Sequence, residues 1–253
     1  MNTMKNAFVL LAAVLVPLAC GAQQEEEEEG PVAYSYATYM YCKVGEDNQA
    51  RVDEIAKENA AVFDAVLEEG TMTGWGWLAH QTGGKWRRIS YFTAETIEAL
   101  WDVQDALNEK FAATPDNGSD AELAKLCYAH DDYVWGVLAG SDTDSRGDVA
   151  MSVYHVCDIA REDRADEIMK NDFAPVMDKA VEDGKIASWG WLSHIVGGKY
   201  RRLQTMTGES YQSVLKARGE ILGAILDMES AQEFTDICGS HSDYLWDIQI
   251  ERP

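Results

Sequence analysis

Of five histidines, four come in matched pairs. His80 and His194 each end an apolar run and precede Gly-Gly and a basic cluster: Lys85, Arg87 and Arg88 after the first, Lys199, Arg201 and Arg202 after the second. A histidine beside guanidinium groups could hold a carboxylate at the rim of a cavity. The same pattern also fits a strand-end histidine bonded to backbone, with arginines answering an acidic surface. His130 and His241 each stand two residues before an aspartate, Asp132 and Asp243. On a strand that spacing lets a carboxylate orient an imidazole or lets two metal ligands share a face, although two residues do not complete a site. The sequence contains no Ser-His-Asp signature, phosphate-cradling glycine loop or HExxH zinc motif. No metal site is read, and no cofactor is predicted from the residues themselves.

The tryptophans lie in a repeat. Trp75-Gly76-Trp77-Leu78-Ala79-His80 recurs as Trp189-Gly190-Trp191-Leu192-Ser193-His194, an offset of 189 − 75 = 114. Gly83-Gly84-Lys85-Trp86-Arg87-Arg88 recurs at the same offset, and Tyr133-Val134-Trp135 answers to Tyr244-Leu245-Trp246. Such self-similarity is the mark of a duplicated unit. Alternation along a strand puts Gly74, Gly76, Leu78 and His80 on one face and Trp75, Trp77 and Ala79 on the other. The glycine face suits close packing of a helix. Trp75, Trp77, Trp189 and Trp191 are therefore expected to look into the space between the repeats, joined there by Trp135 and Trp246. With His80, His194, Arg88 and Arg202 they form the candidate ligand-binding set. The alternative is that the tryptophans simply fill that space.

Each copy carries the same order of elements. A β-rich run comes first (38–44 or 153–159), followed by an amphipathic helix. That helix bears Val52, Ile55, Val62, Phe63, Val66 and Leu67 in one copy and Ile168, Val176, Ala180 and Val181 in the other. Gly70 and Gly184 stop these helices, and Pro175 bends or restarts the second. Two strands follow (72–81 and 86–93 in the first copy), turning at Gly-Gly. A second helix (94–111 or 210–226), a short helical piece and a last strand (132–138 or 243–250) complete each unit. The order βαββαβ is ferredoxin-like.

The predicted fold is therefore α+β: two tandem ferredoxin-like repeats, 35–140 and 150–253, joined by a linker at 141–149. The bare sheet face of each must be covered, and the two can cover each other. At this point the chain resembles the dimeric α/β-barrel superfamily in a fused, two-repeat form. That group includes antibiotic-biosynthesis-type monooxygenases, haem-degrading enzymes, chlorite-dismutase-like proteins and stress-responsive barrel proteins. The Trp-Gly-Trp, Gly-Gly-Lys and Arg-Arg pattern is also similar to that of bacterial envelope proteins with no assigned activity. The resemblance implies haem as a candidate cofactor, with His130 and His241 in the region where haem-degrading relatives hold iron. Against it, neither predicted second helix contains a histidine.

Cys42 and Cys127 lie in the first copy, Cys157 and Cys238 in the second. Each pair joins the first strand to the segment before the last, which are neighbours in a ferredoxin-like sheet. Bridges Cys42–Cys127 and Cys157–Cys238 are expected; the spacing also fits reduced, buried pairs.

Residues 1–19 read as a signal peptide, with Lys5 before a thirteen-residue apolar run, 7–19, too short to span a membrane. The run ends in Pro17-Leu18-Ala19-Cys20-Gly21. This resembles a bacterial lipobox with its leucine one place late, so either Cys20 is lipidated or ordinary cleavage follows Gly21 or Ala22. Residues 20–34, with five consecutive glutamates, read as an acidic flexible tether. The expected address is the periplasm or outer membrane as a lipoprotein, otherwise secretion.

The net charge, 21 − 44 = −23, argues against nucleic acid and against direct binding to anionic membranes, leaving a lipid anchor as the membrane contact. Eight Trp and 46% hydrophobic residues exclude a disordered chain. Three functions remain: capture of a small aromatic or apolar ligand between the repeats, an oxygenase-type or haem-dependent barrel enzyme, or a structural module of the envelope. The chain is expected as a monomeric pseudo-dimer or a homo-oligomer.

Overall fold

The computed structural model describes residues 30–115, 118–141, 143 and 146–253. The signal peptide, Cys20 and residues 20–29 of the acidic tether lie outside the described residues, and the tether's last two positions, Ala33 and Tyr34, already belong to the first strand. Eight strands form a closed barrel in the order β1-β3-β2-β8-β5-β7-β6-β4, every neighbouring pair antiparallel.

In the first half, β1 (Ala33–Cys42) leads into α1 (Glu46–Glu68), and β2 (Gly74–Thr82) turns into β3 (Arg88–Ala94). Then come α2 (Ile97–Ala113), α3 (Ser119–Leu126) and β4 (Cys127–Gly140). In the second half, β5 (Val149–Val156) precedes α4 (Glu162–Ile168), a π-helical turn (Met169–Phe173) and α5 (Ala174–Glu182). There β6 (Ser188–Val196) and β7 (Arg202–Gly208) are followed by α6 (Tyr211–Leu226), α7 (Ser230–Cys238) and β8 (Ser240–Arg252). Both halves pair their strands alike: β4-β1-β3-β2 in one and β8-β5-β7-β6 in the other. The seams are β2 with β8 and β4 with β6, so neither half keeps a free sheet edge.

Local sequence explains several element ends. Thr96 accepts the Ala99 N–H at the start of α2, and Ser210 and Ser213 form a reciprocal capping box on α6. Gly70 and Gly184 follow α1 and α5 with φ of +85° and +67°, conformations that an L side chain resists. Pro175 stands in the first turn of α5, directly after the π-helical turn, where its missing N–H costs nothing. The two disulfides are Cys42–Cys127 and Cys157–Cys238. Cys42 and Cys127 are themselves a register pair, because β4 begins at Cys127 rather than near 132.

The Gly-Gly turns lock one half onto the other. A Cβ on Gly84 would come within 2.1 Å of the Tyr244 hydroxyl, and one on Gly198 within 2.5 Å of the Tyr133 hydroxyl. The Lys85 N–H donates to that Tyr244 oxygen at 3.1 Å. Each turn therefore seats the last-strand tyrosine of the opposite half, an approach that any side chain would block.

Candidate functional site

One section of the barrel interior is filled by stacked rings. Tyr133 lies flat on Trp135 at 4.9 Å, and Tyr244 lies flat on Trp246 at 5.0 Å. Trp86 lies between them, 6.3 Å from Tyr133 and 5.2 Å from Tyr244, and stacks on Tyr39 at 4.4 Å. Tyr154 and Tyr200 complete the plug. Trp135 and Trp246 thus point inward, as alternation along the last strands requires.

Trp75, Trp77, Trp189 and Trp191 point the other way, which corrects the expected orientation of β2 and β6. Their indole N–H groups donate to aspartates of the outer helices: Trp75 to Asp64 at 3.0 Å, Trp77 to Asp53 at 2.8 Å, Trp189 to Asp178 at 2.8 Å and Trp191 to Asp166 at 2.7 Å. A buried indole N–H is stabilised by such an acceptor, and for these four the aspartates of the helix layer supply it. The glycine face therefore looks into the barrel, where the Tyr91 ring covers Gly76 so closely that a Cβ would meet it at 2.4 Å.

Arg88 and Arg202 are likewise not rim residues. Both are buried beneath the helices, Arg88 in a two-point pair with Asp53 and Arg202 in one with Asp166 and a further contact to Glu162 at 3.1 Å. They brace helix to sheet and border neither of the two pockets described below.

His80 accepts from Arg87 Nη1 at 2.8 Å and His194 from Arg201 Nη1 at 2.7 Å, each ring edge-on to a plug tryptophan, Trp246 or Trp135. Burial, with the neighbouring guanidinium adding to it, pushes both rings below the usual histidine range, so they are neutral acceptors. They cap the aromatic plug and do not border the open space described next. His130 and His241 are turned to Asp132 and Asp243 at 2.9 and 2.6 Å and are well exposed.

Beyond the plug the barrel is hollow. A cavity of about 240 Å³ has Tyr39, Trp135 and Tyr154 as its aromatic floor and Ala37, Leu78 and Leu203 among its aliphatic walls. Its polar lining includes Ser35, Thr93, Ser141, Ser152, Thr205 and Thr207, with Tyr91, Arg146 and Glu251 as the larger groups. Trp189 borders it while its indole is tied to Asp178. Sequence reasoning missed Glu251 and Tyr91. Glu251 enters because β8 slips register against β2 between Ile248 and Ile250. Such a bulge re-aims the residues beyond it: Ile248 packs inside, Ile250 packs under the helices, and Glu251 faces in again. The Tyr91 hydroxyl donates to Glu251 Oε1 at 2.7 Å, and Arg146 Nε lies 3.7 Å from that oxygen.

A second pocket, about 180 Å³, lies outside the barrel between β5, β7 and the helices α6 and α7. His155, His241, Met169, Phe173 and Phe234 border it. His155 is buried, its Nδ1 sits 3.4 Å from the Cys238 carbonyl oxygen, and its Nε2 has no partner among the described residues. Haem does not fit here. The volume falls short of the roughly 300–1,000 Å³ typical for drug-sized ligands, which are smaller than the macrocycle, and His241 is held by Asp243. Among the described residues, no group of three or more potential metal ligands occurs, and no helix is long and apolar enough to cross a membrane.

By sequence, no family model and no curated protein matches this chain. Solved structures do match in shape. A proposed monooxygenase from Lactobacillus acidophilus NCFM superposes with a TM-score of 0.59 at 8% identity, covering 87% of this chain and 95% of that one. An anthrone oxidase-like protein gives 0.53 at 12%, covering 89% and 94%. A dye-decolorizing peroxidase from Bacteroides thetaiotaomicron gives 0.54 at 8%, covering 87% and 94%. At such identities the likeness speaks for architecture alone. This chain has the fold of the dimeric α/β-barrel proteins.

Proposed function

We propose that the protein is an exported binding protein that holds a small ligand with an apolar body inside its barrel. Two tandem ferredoxin-like repeats act as an intramolecular dimer, and the acidic segment after the signal peptide tethers the barrel to the envelope through Cys20. The observation that carries this reading is the interior cavity: aromatic at its floor, aliphatic along its walls, and supplied with a few polar groups in the manner of ligand sites. Among the described residues that line it there is no histidine or cysteine, and the lining is chiefly apolar and aromatic, as capture of an apolar body requires. The two disulfides suit an oxidising compartment.

The test is a ligand-observed NMR screen of small aromatic and aliphatic compounds against the wild type and Thr205→Phe. Thr205 occupies in the second half the place that Tyr91 fills in the first (205 − 91 = 114), so the variant closes the cavity with a ring the fold already accommodates. Hits that vanish in the variant support the reading. An absence of hits, or hits indifferent to the substitution, overturns it in favour of a structural barrel.

A further inference from the structure

The cavity is not symmetric, and the asymmetry lies in its charged groups. The second half contributes Glu251 where the first has Gly140 (251 − 140 = 111, the same offset as Trp246 and Trp135). Tyr91 stands where the second half has Thr205, and Arg146, just before β5, stands where Pro31 precedes β1. All three polar groups therefore gather on one side, and a register slip in β8 is what brings the carboxylate inside.

Glu251 is only partly satisfied. Tyr91 donates to Oε1, and the Arg146 contact to the same atom is long, 3.7 Å, from a side chain that is half exposed. Among the described residues both groups approach the same oxygen, Oε1, and the Glu251 side chain is 18% exposed where it lines the cavity. Burial pushes this carboxyl above the usual carboxylate range, and the Tyr91 hydroxyl and Arg146 offset that only in part. A charge in such a place gains most from a compact cation brought in by a ligand. The aromatic side chains that line the same cavity suit a cation-bearing ligand, and a protein of net charge −23 concentrates cations at its surface.

We infer that the cavity selects small amphiphilic amines, the ammonium head paired with Glu251 Oε2 and the apolar body on the Tyr39, Trp135 and Tyr154 floor. This rests on the proposed binding function and names the ligand class for the same cavity. Arg146 is then a competitor for the carboxylate, displaced when the amine enters.

The test uses the full chain with both disulfides formed, titrated calorimetrically at neutral pH with phenethylamine, phenethyl alcohol and hydrocinnamate. The amine is expected to bind about ten-fold more tightly than the alcohol, and hydrocinnamate most weakly. Glu251→Gln, which keeps the Tyr91 hydrogen bond, should bring the amine down to the level of the alcohol and leave alcohol binding unchanged. Arg146→Ala should tighten the amine several-fold. Equal binding of amine and alcohol, or a preference for hydrocinnamate, overturns the amine assignment and leaves the cavity as a ligand site. Loss of alcohol binding in Glu251→Gln also overturns it, since the carboxylate would then be shaping the cavity. Failure of all three compounds overturns both this inference and the function on which it rests.

Discussion

Arg88 and Asp53 meet at two points, Nε to Oδ1 at 2.6 Å and Nη2 to Oδ2 at 2.7 Å, and the same Oδ1 accepts the Trp77 indole N–H at 2.8 Å. One carboxylate on α1 thus satisfies a guanidinium on β3 and an indole on β2, fastening helix to sheet. Arg202, Asp166 and Trp191 repeat the arrangement in the second half. Arg88 is only 3% exposed, so losing its partner strands a charge in the interior. Asp53→Ala is expected to destabilise the fold by about 3–5 kcal/mol, read by chemical denaturation. A loss below about 1 kcal/mol, the value of an ordinary surface pair, would contradict this.

This pairing also marks where sequence reading stopped. The repeat, the strand order within each unit and the inward aim of Trp135 and Trp246 were legible from periodicity and spacing, and both disulfide pairings from which strands are neighbours in a ferredoxin-like sheet. The aim of Trp75 and Trp77 was not. The first six residues of β2 are all buried, so both faces are covered and alternation carries no polar contrast to orient it. A signal did exist: Asp53 and Asp64 recur as Asp166 and Asp178, acids placed among the apolar positions of a helix in both copies. Buried indoles need acceptors, and those recurring acids supply them. The entry of Glu251 had no comparable signal, since it depends on a one-residue slip in strand pairing.

His155 makes stability depend on pH. Burial pushes its ring down to about 4; the Cys238 carbonyl opposes this, the charge of His241 adds to it, Asp243 opposes, and Arg218 adds. In the unfolded chain the ring titrates near 6.5. Between those values the unfolded state takes the proton and the folded state refuses it. The contribution is therefore fully present above about 6.5 and is lost as pH falls toward 4, amounting to about 3 kcal/mol. His155→Met, which copies Met40 of the first half, should flatten this part of the stability profile. Parallel profiles for variant and wild type across that window would show that His155 is not its source.

The disulfides close long segments, with sequence separations of 85 and 81. In the chain-entropy account, each loop of this length is worth about 4.5 kcal/mol through the unfolded state. Replacing Cys42 and Cys127 together by serine should lower the denaturation midpoint with little change in the folded spectrum. Reductant should do the same to the wild type and add nothing further at this bridge in the variant. A variant as stable as the wild type would mean that the bridge constrains nothing the fold does not already hold.

The central claim is that the hollow section of the barrel holds a small molecule. Native mass spectrometry on the protein recovered from an exporting host, beside a denatured sample and Thr205→Phe, tests it most directly. The account predicts extra mass on the folded wild type that is released by denaturation and missing from the variant. A folded wild type carrying no added mass, and gaining none when small amphiphilic amines are supplied, would contradict it and leave the barrel a structural module.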